Sequence, residues 1–140
     1  MKTHLLVTAA CVLAAGGCGN YRDRAVLSAG PWLLERVELS GHEEKTESFD
    51  MVFSPHGNGV VITVGNKVHK GIYELQSDKD PKEIDIKPDA SNLDDKPLYG
   101  IYGIDHDGQG LTLCVSPRKR PKKFETRPDV DWVLIKLRRQ

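Results

Sequence analysis

Apolar residues along this chain recur mostly at every second position, in short runs separated by polar turns rich in glycine and proline. Phe49, Met51 and Phe53 share one face of 49–53, the alternation of a half-buried strand. Val133, Ile135 and Leu137 do the same within Asp131–Leu137. Trp32–Leu39 alternates imperfectly, with Leu33, Val37 and Leu39 on one side, and Val60–Val64 is β-branched throughout. Gly65-Asn66 then joins a further run, Val68–Leu75, in which Tyr73 and Leu75 face one way; two residues with glycine first suit a type II′ hairpin turn. Ile84 and Ile86 flank Asp85 in another short strand. Two apolar runs, Leu98–Ile104 and Leu111–Val115, enclose Asp105–Gly110 and predict a hairpin with a longer loop. Within it, Gly100 and Gly103 mark a bulge, a bend or a close backbone approach. His42–Ser48 and Lys87–Pro97 are polar without a period and read as loops.

The tally is about eight strands, at the turn spacing of sandwiches and barrels, with no helical period after residue 18. A meander of antiparallel strands leaves two exposed edges, and closure removes them. The expectation is an all-β domain over 30–140, folded as a small antiparallel up-and-down barrel.

The first residues follow another logic. A basic start at Lys2 precedes an apolar run, Leu5–Ala15, which is shorter than the about 20 residues of a spanning helix. This layout is that of a secretory leader over 1–17. Ala15-Gly16-Gly17-Cys18 resembles the bacterial lipoprotein box, in which a small residue precedes a cysteine that is lipidated and becomes the new N-terminus. That resemblance implies lipidation at Cys18, a tether over 18–29, and a place in the cell envelope, membrane-anchored and facing the periplasm or exterior. Neither Gly19 nor Asn20 is the aspartate that in some bacteria retains lipoproteins at the inner membrane, which favours the outer one. Cys11 would leave with the leader, so Cys114 has no disulfide partner and reads as a small buried strand residue.

Charge narrows the field further. Twenty Lys and Arg balance twenty Asp and Glu, so no global field favours nucleic acid. The strongest local feature is the basic run Arg118, Lys119, Arg120, Lys122 and Lys123, which suits an anionic lipid surface or an anionic envelope polymer. Asp105-His106-Asp107 lacks the spacing of a calcium loop and reads as a solvated turn. A Cys114–His106 pair would be needed to make a thiolate nucleophile, and nothing in the sequence joins them. No phosphate loop, catalytic triad order or metal motif stands in the chain, so neither a catalytic residue nor a cofactor is expected.

Gly30-Pro31-Trp32, Gly71-Ile72-Tyr73, Ile84-Asp85-Ile86, Gly100-Ile101-Tyr102, Leu111-Thr112-Leu113-Cys114 and Arg120-Pro121 followed by Phe124 together resemble a family of small secreted and lipoprotein domains best known from planctomycetes. The Gly-x-Trp start is also similar to the lipocalin signature, in which a late arginine stacks on the tryptophan. That likeness implies a barrel closed by Trp32 with Arg138, or with Arg139. The expected function is a non-catalytic binding or interaction module with an unidentified protein partner or ligand. The alternatives are a carrier of a small apolar ligand inside the barrel, and a secreted enzyme or inhibitor with its site on the loops.

Overall fold

The computed structural model describes residues 15–89 and 96–140. Residues 1–14, with most of the expected leader and Cys11, lie outside the described residues, as does the centre of the expected 87–97 loop. The described residues form one helix, α1 (Ala15–Leu27), and nine strands: β1 (Trp32–Leu39), β2 (His42–Glu44), β3 (Phe49–Phe53), β4 (Gly59–Val64), β5 (Lys67–Gln76), β6 (Glu83–Pro88), β7 (Leu98–Ile104), β8 (Gly110–Ser116) and β9 (Val133–Arg139). All pairings are antiparallel between neighbours in space, and β1 also pairs with β9 from Trp32↔Arg139 to Leu39↔Val133. Eight strands therefore close into an up-and-down barrel, with β2 folded back on the outer half of β1. Closure satisfies the edge groups that an open meander would expose.

The inward faces follow the alternation. Met51 and Phe53 on β3, Tyr73 on β5, Ile84 and Ile86 on β6, Leu111 and Leu113 on β8 and Leu137 on β9 are buried in one apolar cluster with Trp32. Two-residue turns set the registers on either side. Gly65 adopts φ 62° between Val64 and Lys67, which pair across the β4–β5 turn. Ser40 and Gly41, at φ 53° and 80°, return the chain from β1 to β2. Gly100 is a close approach: a Cβ there would stand 2.7 Å from the Cys114 carbonyl oxygen.

Three local expectations change. First, β1 does not carry Leu33 on the face of Val37 and Leu39. The register with β9 slips between Leu34 and Arg36, so the strand bulges at Glu35; Trp32 and Leu34 point inward before it and Val37 after it, while Leu33 is exposed. A bulge is what imperfect alternation looks like in sequence. Second, part of the expected 42–48 loop is β2.

Third, the segment expected as a tether is helical. Asn20, Asp23 and Leu27 recur at helical spacing and face the barrel, with Asp23 and Leu27 buried. Two of those three residues are polar, which hides the period from any count of apolar positions. Ser28 closes the helix, its N–H and hydroxyl both donating to the Arg24 carbonyl at 2.9 and 2.7 Å. Among the described residues no helix is long and apolar enough to cross a membrane.

Candidate binding pocket

α1 closes one end of the barrel, and it is bound there through polar groups. The Asn20 carboxamide oxygen accepts from the N–H and hydroxyl of Ser77, at 2.8 and 2.6 Å. The Asp23 carboxylate accepts from the Tyr102 hydroxyl at 2.6 Å and from Lys82 at 3.0 Å. Burial pushes the Tyr102 phenol far above its ordinary range, and the adjacent carboxylate adds to the shift. Arg24 donates to the Gly57 carbonyl in the β3–β4 turn.

The helix end is tied to barrel closure. The Trp32 indole N–H donates to the Leu27 carbonyl at 3.0 Å, and the Arg139 guanidinium lies 4.2 Å from the centre of the Trp32 ring. Arg139 also donates to the carbonyls of Val26 and Gly108, joining α1 to the β7–β8 loop. The stacking cation is thus Arg139 and not Arg138. Trp32 and Arg139 are directly paired across β1 and β9 and share a face; Arg138 alternates outward and meets Glu35 at 3.5 Å.

At the opposite end the described residues leave the barrel open. A cavity of about 320 Å³ descends between the sheet walls, lined by Phe49 and Met51 of β3, Val60 and Ile62 of β4, and Leu113 and Val115 of β8. Ile86, Leu98 and Ile135 complete the apolar wall, Gly71 contributes no side chain, and Pro88 lies at the margin. Its size falls within the range of about 300–1,000 Å³ typical of small-molecule sites, and its depth is apolar as such sites are. No metal-holding cluster of His, Cys, Asp and Glu occurs among the described residues.

The basic run is shared between the sheet and an outer groove, which Arg118, Lys119, Arg120 and Lys122 all border. Residues 117–132 cross the outside of the sheet as a strap, and Arg120 is its staple. Its guanidinium donates to the carbonyl oxygens of Gly100 at 2.8 Å and Ile84 at 3.2 Å, and pairs with Asp85 at 2.6 Å. Arg118 pairs with Asp131 at 3.5 Å. Lys119, Lys122 and Lys123 are left exposed, and the first two border a shallow outer groove with Arg127 and Trp132.

Beneath the strap, Ile101, Cys114 and Leu134 form a second small apolar cluster, against which Trp132 packs. Cys114 is fully buried there, with its thiol 3.5 Å from the Glu125 carbonyl oxygen. Burial pushes the thiol up to about 11. His106 sits exposed in the β7–β8 loop, so the two do not form a nucleophile pair. Native protein is therefore expected to resist iodoacetamide at neutral pH, while urea-unfolded protein reacts at once. The folded-state value lies above the unfolded one of about 9, so folding retains a proton between them. Stability is accordingly expected to fall as pH rises from about 9 towards about 11. A smaller alkaline slope in Cys114→Ala checks this; native labelling as fast as unfolded labelling would contradict it.

No family model, curated protein or solved structure matches the chain. Sequence reasoning missed the helical plug, and it placed Phe49, Met51 and Ile135 on an inward face without marking them as the lining of a pocket. Asn20, Asp23 and Leu27 carried a signal, a helical spacing of mixed polarity. The pocket carried none, because its volume depends on which side chains meet across the barrel.

Proposed function

We propose that this protein is a cell-envelope lipoprotein, anchored through Cys18, whose barrel is a non-catalytic binding module for a small apolar ligand. The observation that supports ligand carriage over a purely surface-borne role is the apolar cavity at the open end, lined by Phe49, Met51, Val60, Ile62, Leu113 and Val115. The lipobox-like 15–18 segment supports the anchor. Asn20 is already bound to Ser77, so an acylated Cys18 would hold the closed end of the barrel against the bilayer, with the mouth facing away. Two or more acyl chains give stable anchoring where one is marginal.

Two experiments test the two halves of this reading. Cys18→Ala is expected to move the protein from the membrane to the soluble fraction; unchanged fractionation sinks the anchor. Native mass spectrometry of gently released protein is expected to show a bound small molecule, lost when Leu113→Trp fills the cavity. A bare mass in both, with no uptake of added apolar probe, counts against a carrier.

A further inference from the structure

The outer groove beside the strap is a second concave site, separate from the apolar cavity. It has a volume of about 600 Å³, with Arg118, Lys119, Arg120 and Lys122 on one leg of the strap and Arg127 on the other. Asp129 and Asp131 are the carboxylates of its lining. The arginines are matched: Arg118 by Asp131 at 3.5 Å, Arg127 by Asp129 at 3.7 Å, and Arg120 by Asp85 and Glu83 at 2.6 and 3.5 Å. Lys119 and Lys122 are exposed and make no ion pair among the described residues. A carboxylate holds a guanidinium in place without using all five of its N–H donors, so the groove offers two unmatched ammonium groups set among positioned donors. The chain as a whole is neutral, so any capture of an anion here is local.

Shape and lining narrow the occupant. A bilayer is flat and does not follow a concave groove. A protein partner draws its affinity from large apolar or aromatic anchors seated in pockets, and this lining is polar apart from Val130 and Trp132. Trp132 is already engaged: it packs against Ile101, Cys114 and Leu134, and the Arg127 guanidinium lies 5.6 Å from its ring centre. It is therefore not a free platform of the kind on which nucleic-acid bases stack. A slender polar chain with an anion on successive units meets none of these objections. We propose that the strap groove binds an acidic glycan, its carboxylates or sulfates held by Lys119 and Lys122 together with the remaining N–H donors of Arg118 and Arg127. This site stands independently of the apolar-pocket reading.

The test uses the full chain carrying Cys18→Ser, so that no acyl group of its own draws it to a vesicle. Oligogalacturonate, dextran sulfate, neutral dextran, polyglutamate and phosphatidylglycerol vesicles are titrated in a calorimeter at low salt. A charged glycan is expected to bind, to weaken as salt screens the charges, and to leave neutral dextran without a signal. The stronger of oligogalacturonate and dextran sulfate tells a carboxylated source from a sulfated one. Lys119→Gln and Lys122→Gln are each expected to weaken binding about threefold, and together about tenfold, the scale of exposed ion pairs. Reversal, as Lys119→Glu with Lys122→Glu, is expected to abolish it. Lys67→Gln with Lys79→Gln removes the same charge away from the groove, at the start of β5 and between β5 and β6, and is expected to leave binding unchanged. Equal weakening in that control pair overturns the groove as the site. Silence towards both charged glycans, or neutral dextran bound as well as they are, overturns the proposal, and so does tighter binding of polyglutamate or of the vesicles.

Discussion

Trp32→Ala is expected to lower the unfolding free energy by about 3–5 kcal/mol, the range for truncating a large buried aromatic. The side chain is fully buried, so the whole transfer term is lost and a cavity is left where β1, β9 and α1 meet. Two further contacts go with it. The Leu27 carbonyl loses its indole donor, and Arg139 loses the ring it lies over, a stack worth about 0.5–2 kcal/mol. These overlap with the packing loss and are not added to it. The fall in Tm should be about 10–20 °C. Trp32→Phe keeps a ring for Arg139 and drops only the N–H, so it should lose much less. Urea unfolding of both variants checks the order. Equal losses would mean that the indole hydrogen bond, and not ring packing, holds the closure.

Asp23→Ala should cost about 2–4 kcal/mol and release α1 from the barrel end. The larger part is the Tyr102 hydroxyl, buried and left without its acceptor. Lys82 adds little, because its side chain is 43% exposed and water replaces the lost carboxylate. Tyr102→Phe alone strands the carboxylate and should be similarly harmful. Together the two changes remove both partners, and the double variant should be more stable than the sum of single losses predicts. A double-mutant cycle by chemical denaturation measures this, and a coupling near zero would show that the Asp23–Tyr102 hydrogen bond adds nothing to the other contacts that hold the helix. Hydrogen exchange adds a local readout: amides of 20–27 should exchange faster in Asp23→Ala, while those of β8 keep most of their protection.

Both effects centre on α1, the element that periodicity did not reveal. Alternation found the strand at Phe49–Phe53 and, as Asp131–Leu137, the one that runs Val133–Arg139, while β-branched and apolar runs found Val60–Val64 and Leu98–Ile104; each has one face in a shared apolar core. The same reasoning failed at β1, where a single bulge at Glu35 moves the later residues to the opposite parity. It failed more completely at 19–27, where the inward positions are an asparagine, an aspartate and a leucine. Polar residues become interior ones only when a partner is in place. Ser77 and Tyr102 lie more than fifty positions further along the chain.

The candidate site divides in the same way. A tryptophan opening the first strand and an arginine late in the last were legible as a pair that closes the barrel, but the choice between Arg138 and Arg139 depends on register. A shift of one residue sends a side chain to the other face. The basic run was legible as charge, yet Arg120 serves the strap, which leaves Arg118 and three lysines exposed.

Alone, then, the sequence determined an antiparallel all-β domain whose Phe49, Met51, Phe53, Val133, Ile135 and Leu137 face inward. Strand alternation is a local property and leaves its mark residue by residue. Tertiary structure decided that a helix closes one end, that Arg139 meets Trp32, and that the other end keeps a cavity. Each of these depends on groups distant in sequence arriving within a few ångströms of one another. An empty volume in particular has no residue of its own: it is what remains when Gly71 brings no side chain and the walls of β3, β4 and β8 stand apart.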